Sequence, residues 1–201
     1  MKNLKKTKII LASGSPRRKY LLKGLLNNFG LNFVVKPSNI AEYIPQKIAN
    51  FSKFVMDLAF LKAFEVSREN RGIIIGADTI VVLKNSLLGK PSTKKDAVKM
   101  LKQLSGKEHK VYTGLCFINS AKGEAIKTFE VTKVKFRKLS DKEIRFYVKS
   151  GSPMDKAGAY GIQDDYGSTF VEKITGDYFN VVGLPIVKTY LALSKISGQG
   201  K

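Results

Sequence analysis

Residues 8–18 read KIILASGSPRR. Lys8 to Ala12 is a short β-branched apolar run bounded by Ser13-Gly14, so it reads as a buried strand. Ser15 then suits a helix N-cap and Pro16 the first helical position. Tyr20, Leu21, Leu22, Leu25, Leu26 and Phe29 recur along one apolar helix face, which predicts a helix over 15–29. A buried strand that passes through Ser-Gly-Ser into a helix is the opening unit of an α/β domain.

Strand and helix signals keep alternating beyond this unit. A second helix is predicted over about 51–66, with Phe51, Phe54, Val55, Leu58 and Leu61 on its stripe. Residues 72–83 (GIIIGADTIVVL) predict a strand interrupted by Gly76 and Asp78. Thr93 caps a helix that ends at Ser105, with Gly106 after it. Strands at 109–119 and 125–137, turned at Lys122-Gly123, read as a hairpin, which makes the sheet mixed. Ser140 and Glu143 form a capping box for a helix that Gly151 closes. A strand at 168–174 follows, and Pro185 starts the last helix. No linker, low-complexity tract or repeat interrupts the pattern, so residues 1–201 are expected to form one α/β domain.

The chain carries 36 Lys and Arg against 16 Asp and Glu, a formal charge of +20. Such an excess favours phosphorylated or polyanionic ligands. The lysines are nevertheless spread along the whole sequence, and no basic block interleaved with aromatics resembles a nucleic-acid module, so no specific nucleic acid is expected. No apolar run approaches the length of a membrane span, and the apolar stretch after the basic N-terminus is too short for a secretory signal. A single cysteine, Cys116, excludes an internal disulfide and fits a reducing cytoplasm.

Four places break local rules, and such conflicts tend to mark functional sites. Arg17 and Arg18 stand in the first turn of helix 15–29, at the positive end of its dipole, where cations are unfavourable unless an anion compensates. Two guanidiniums beside exposed helix amides form a phosphate cradle. Lys62 lies in phase with the apolar stripe of its helix, so it either snorkels past the core edge or reaches a buried anion. Asp78 interrupts an apolar run in which an unpaired carboxylate is costly to bury. Flanking Gly76 and Thr79 suggest a kinked strand end there, and Lys90-Pro91 adds a loop cation. Finally, residues 150–167 (SGSPMDKAGAYGIQDDYG) are long for a connection. They carry Asp155, Lys156 and Gln163, the last an amide able to read a base edge.

His109, the only histidine, has no ligand partner in sequence, and Cys116 has no nearby base. There is no GxSxG elbow, GxxxxGK[ST] loop or zinc-ligand spacing, which disfavours serine hydrolases, P-loop NTPases and zinc enzymes.

Leu11 to Arg18 (LASGSPRR) resembles the N-terminal signature of the Maf family. Gly76-Ala-Asp-Thr79, Gly89-Lys-Pro91, Val111-Tyr-Thr-Gly114, residues 155–163 (DKAGAYGIQ) and residues 176–185 (GDYFNVVGLP) follow in that family's order. The resemblance implies a nucleotide pyrophosphatase whose fold is an elongated mixed sheet flanked by helices. It implies two lobes and a central cleft, similar to the inosine triphosphate pyrophosphatases, and a divalent metal, Mg²⁺ or Mn²⁺. It carries the proton acceptor to Asp78 and the specificity positions to Arg17, Thr79 and Gln163. The cleft lysines become Lys62 and Lys90, and an acidic metal ligand becomes Glu42, beside Asp78. Ala41 stands where relatives often have a second acid, and Asp164-Asp165-Tyr166 where many have glycine. Thr79 and the 159–163 run resemble the branch acting on dTTP and UTP rather than the 7-methyl-GTP branch. A homodimer is a further implication.

The expected reaction is attack of water on the α-phosphorus with release of pyrophosphate. Arg17, Arg18, Lys62 and Lys90 hold the triphosphate, and Gln163 and Thr79 read the pyrimidine. A free aspartate, with pKa about 3.9, is a weak base at neutral pH. Either burial therefore strengthens Asp78, or a metal acidifies the water that Asp78 orients. Competing classes are a nucleic-acid-binding protein without turnover and a nucleotide sensor.

Overall fold

A computed structural model describes residues 2–41, 45, 47–164 and 166–198. It contains a mixed seven-stranded sheet with flanking helices, as the alternation of signals implied. In chain order the strands are β1 (Ile9–Leu11), β2 (Val34–Val35), β3 (Ile73–Leu83), β4 (Ser86–Leu88), β5 (Glu108–Asn119), β6 (Glu124–Phe136) and β7 (Val171–Thr175). The helices are α1 (Pro16–Asn27), α2 (Phe51–Ser67), α3 (Lys94–Leu104), α4 (Asp141–Lys149), α5 (Tyr178–Val182) and α6 (Ile186–Ile196). The sheet order is β2-β1-β3-β5-β6-β7, with β4 paired to β3.

The chain packs as two compact units. Met1–Asp78, Thr113–Glu130 and Gly183–Lys201 make the first, and Thr79–Tyr112 with Val131–Val182 make the second. In the first unit β1 runs parallel to β2 and to β3, with Ile10 opposite both Val34 and Ile74. Parallel strands need cover on their faces, and they read accordingly as continuous apolar runs. Ile10, Ile74, Ala59, Ala63 and Cys116 form a fully buried core between these strands and α2. The N-cap of α1 is Ser15, whose side chain accepts from the Arg18 amide, and Pro16 opens the helix, both as predicted.

In the second unit β7 runs antiparallel to β6, and β4 antiparallel to β3. Its core gathers Leu101, Leu104, Phe136, Tyr147, Tyr160 and Phe170. Both predicted caps form here: Thr93 with Asp96 on α3, and Ser140 with Glu143 on α4, each a reciprocal capping box.

Two expectations need correction. The strand 72–83 is not interrupted: β3 continues through Gly76 and Asp78, both buried. Gly76 lacks a side chain for α2's sake, as shown below, and not to kink the strand. The described residues of 150–167, a connection read as a binding loop, are locally ordered into short turns. They fold into 3₁₀ turns at Ser152–Asp155 and Ala157–Ala159, and another begins at Gly167. That last turn, Gly167–Phe170, also takes the start of the predicted strand 168–174. Phe170 is fully buried against Phe136 and Tyr147, so pairing with β6 starts only at Val171. The short elements β2, β4 and α5 carried too few residues to show a period.

Candidate active site

Two glycines set the geometry of the first unit's site. An ideal Cβ on Gly76 would lie 2.1 Å from the Ala59 carbonyl oxygen and 2.9 Å from the Ala63 Cβ. One on Gly114, on β5, would lie 2.2 Å from the Val55 carbonyl oxygen. Both contacts are with α2, so hydrogen side chains on β3 and β5 are what let this helix settle against the sheet. Side chains two apart on a strand share a face. Asp78 therefore emerges on Gly76's side, toward α2, where Lys62 is one residue from Ala63.

Lys62 Nζ meets Asp78 Oδ1 at 2.6 Å, with side chains only 13% and 7% exposed. Of the two readings open for Lys62 in the sequence, the buried anion is the one realised. An ammonium and a carboxylate this shielded stabilise one another strongly, and removing either partner leaves an uncompensated buried charge. The pair is also chemically provocative, because a carboxylate can handle a water proton and an ammonium can bind phosphate.

On the turn between β1 and α1, the Ser13 hydroxyl accepts from the Ser15 amide at 3.3 Å and from Arg18 Nη1 at 3.1 Å. Arg18 Nε donates to the Gly183 carbonyl at 2.9 Å. Arg18 thus ties the head of α1 to the segment preceding α6, a structural engagement that the sequence did not reveal. Arg17 is half-buried on the same first turn.

Thr79, Lys90 and Gln163 belong to the second unit. Thr79 follows Asp78 directly on β3, and strand alternation turns it to the opposite face. Lys90 is exposed in the loop after β4. That loop is fastened to the 157–159 turn by a hydrogen bond from the Gly158 amide to the Gly89 carbonyl at 3.0 Å. Gln163 is exposed as well. Beside it, Asp164, which in the sequence is no more than a departure from a family pattern, is the hub of this segment. Its Oδ2 accepts from Tyr147 Oη at 2.5 Å and from Ser152 Oγ at 2.7 Å, and Lys156 Nζ lies 3.4 Å away. Lys156 is itself buried, donating to the Ser152 carbonyl at 2.6 Å and to Asp155 at 2.8 Å. Burial, together with the Asp164 carboxylate, pushes the Tyr147 phenol above its usual range, which leaves it a neutral donor. Asp155 and Lys156, read as a carboxylate and a cation for ligand binding, here bind one another.

Among the described residues no group of three or more His, Cys, Asp and Glu side chains could hold a metal ion. Glu42, assigned to a metal, lies outside the described residues. Mg²⁺ needs only one or two carboxylates when substrate phosphates and water complete its shell, and Asp78 offers a carboxylate of that kind. His109 and Cys116 are core groups, as their sequence contexts suggested. His109 Nε2 and the Tyr160 hydroxyl share a hydrogen bond at 2.8 Å, and burial lowers the imidazole pKa to about 4. Burial pushes the Cys116 thiol up to about 12, which leaves it unreactive.

A family model described as Maf-like protein matches residues 8–196. A dTTP/UTP pyrophosphatase of Thermoanaerobacter sp. (strain X514) is 48% identical over 190 residues, covering 94% of this chain and 96% of that protein. One from Aquifex aeolicus (strain VF5) is 49% identical over 192 residues, covering 94% and 96%. One from Clostridium botulinum (strain Okra / Type B1) is 50% identical over 184 residues, covering 90% and 92%. Among solved structures, a HAM1 protein from Coxiella burnetii matches with a TM-score of 0.54 at 13% identity. It covers 94% of this chain and 99% of its own, a likeness of fold.

Proposed function

The chain belongs to the Maf family, and from that premise we propose that it hydrolyses dTTP and UTP to the nucleoside monophosphate and pyrophosphate. The observation that carries the chemical reading is the shielded Lys62–Asp78 pair at 2.6 Å. It joins a candidate proton acceptor to a candidate phosphate cation, beneath a helix whose seat depends on two glycines.

Phosphoryl transfer asks little covalent chemistry of a protein; positioning and charge neutralisation supply most of the rate. Asp78 accepts the proton of the attacking water while the oxygen adds to the α-phosphorus and the bond to the β-phosphate oxygen breaks. Lys62, already lodged against that carboxylate, gains a phosphate oxygen as a second anionic partner when the nucleotide enters. Arg17 and the amides at the head of α1 take up phosphate charge, while Arg18 also holds the turn that presents them. Lys90 is a further phosphate contact, and Gln163 and Thr79 discriminate the pyrimidine. A divalent ion bound with the triphosphate would be held by Asp78 and Glu42 and would neutralise charge on the phosphates.

No described helix is long and apolar enough to cross a membrane. With its one cysteine buried and reduced, the protein suits the cytoplasm. A second copy as partner is supported by Tyr20 on α1 and Val187 and Leu191 on α6, which are 72%, 65% and 57% exposed.

The test is pyrophosphate release from a nucleotide panel with Mg²⁺ or Mn²⁺, comparing wild type with Asp78→Asn. Turnover of dTTP and UTP that vanishes in the variant is the expected result. Preference for 7-methyl-GTP would overturn the substrate, and full activity in Asp78→Asn would overturn the proton acceptor.

A further inference from the structure

We propose that the groove between α3 and α4 binds a single strand of nucleic acid by its phosphates, without reading its sequence. The groove has a volume of about 1290 Å³ and its lining belongs wholly to the second unit. Val98 and Val148 give it an apolar lining. Seven cations, among them Lys95, Lys99, Lys102, Arg145 and Lys149, face it against one acid, Asp96. None of them is among the residues assigned above to the triphosphate. The lysines that looked scattered in the sequence thus converge, because two amphipathic helices pack their apolar faces inward and turn their basic edges to one another.

Spacing favours a strand-like polyanion. Lys95, Lys99 and Lys102 mark successive turns of α3, about 6 and then about 4.5 Å apart along its axis, at 1.5 Å of rise per residue. Arg145 and Lys149 stand about 6 Å apart along α4 by the same measure. Two cationic rows flanking a concave floor suit a charged strand lying between them.

The nearby acids are already committed. Asp96 Oδ2 accepts from the Thr93 amide at 3.0 Å and from the Thr93 hydroxyl at 2.8 Å. Asp141 holds Lys102 at 2.6 Å and also lies near Arg145. Lys94 and Lys95 occupy the first turn of α3, where the helix dipole disfavours cations, and Lys95 and Lys99 are a repelling i,i+4 pair. A bound phosphodiester strand relieves these repulsions.

Anisotropy of a fluorescein-labelled oligouridylate, titrated at several salt concentrations, tests the proposal. With Lys102 held by Asp141, four neutralised phosphates predict a log–log salt slope of about −2.8, at about −0.7 per phosphate on a single strand. That is roughly a fiftyfold loss of affinity for a fourfold rise in salt. A Lys99→Glu/Arg145→Glu variant is expected to bind about tenfold or more weakly with a shallower slope, while pyrophosphate release from dTTP is unchanged. Lys99→Gln/Arg145→Gln, which removes charge without adding repulsion, is expected to fall between. Variants that bind as wild type does would overturn the proposal, and so would absence of binding at low salt. Groove-dependent binding of phosphatidylglycerol vesicles or of polyglutamate in preference to the oligonucleotide would overturn it too.

Discussion

Asp78 and Asp164 are both shielded carboxylates with a lysine nearby, but they sit in different kinds of surroundings. Asp78 lies in the middle of an eleven-residue strand, and its ammonium partner comes from a helix packed across it. Asp164 lies between 3₁₀ turns, and its donors come from α4 and from the turn at Ser152–Asp155. The strand gives Asp78 a rigid seat and its neighbour is a group suited to binding phosphate. The neighbours of Asp164 are two neutral hydroxyls and a lysine already committed to Ser152 and Asp155. The same residue type is therefore the proposed proton acceptor in one unit and closes a chain segment in the other.

Isosteric amides give the strongest way to break this distinction. Asp78→Asn is expected to lower turnover by about 10²–10⁴, the usual contribution of a positioned base, while the nucleotide still binds. Asp164→Asn is expected to keep turnover within about tenfold and to cost about 1–3 kcal/mol of stability, through hydroxyl donors left mismatched. Steady-state kinetics beside chemical denaturation separates the two. If Asp164→Asn lost turnover and Asp78→Asn lost only stability, the two roles would be reversed.

Next in size is the seat of α2. A Cβ on Gly76 meets a backbone carbonyl at 2.1 Å, which no side-chain rearrangement relieves, so the helix must move. Gly76→Ala is expected to cost about 3 kcal/mol, at the upper end for overpacked cores. It is also expected to reduce turnover by moving Lys62 off Asp78. A variant with wild-type melting temperature and kinetics would show that the close approach of α2 does not hold the pair.

What the sequence disclosed follows the same division. Asp78 and Lys62 were visible because each violates a period: a carboxylate in an apolar strand and an ammonium on an apolar stripe. Caps were visible because Ser15-Pro16, Thr93 and the Ser140–Glu143 box act over three or four residues, although Asp96's part in the Thr93 cap appeared only in the structure. Asp164 as a hub was not visible, because Tyr147 and Ser152 approach it only after the turns form, and turns built from backbone carry no hydrophobic period. Gly76 misled for a related reason. A glycine in a strand marks either a bend or a close approach, and only the position of α2 decides which. Arg18 was seen as a cation at a helix start, but its partners, Ser13 and the Gly183 carbonyl, include one 165 residues away.

The neutral buried pair His109–Tyr160 sharpens the contrast with the charged one. His109's folded-state pKa is depressed to about 4 from 6.5 by burial. The unfolded chain therefore takes up the proton first, and stability is present above pH 6.5 and lost as pH falls toward 4. The loss attributable to this residue is at most about 3–4 kcal/mol, because each pH unit between the unfolded and folded values contributes about 1.4 kcal/mol. His109→Gln, which keeps an amide beside the Tyr160 hydroxyl, is expected to flatten the stability profile over that interval. An unchanged profile would mean that other groups carry the acid sensitivity.

The smallest expected effect has the opposite sign and serves as control for Gly76. Gly24 is exposed inside α1, and a Cβ there meets nothing within 4 Å. A glycine inside a helix costs backbone entropy that alanine does not, so Gly24→Ala is expected to stabilise by about 0.5–1 kcal/mol with unchanged turnover. The two new methyl groups meet opposite surroundings, the Ala59 carbonyl oxygen at 2.1 Å in one case and nothing within 4 Å in the other. A destabilised Gly24→Ala would mean that α1 has a neighbour on that face which a single copy of the chain does not supply.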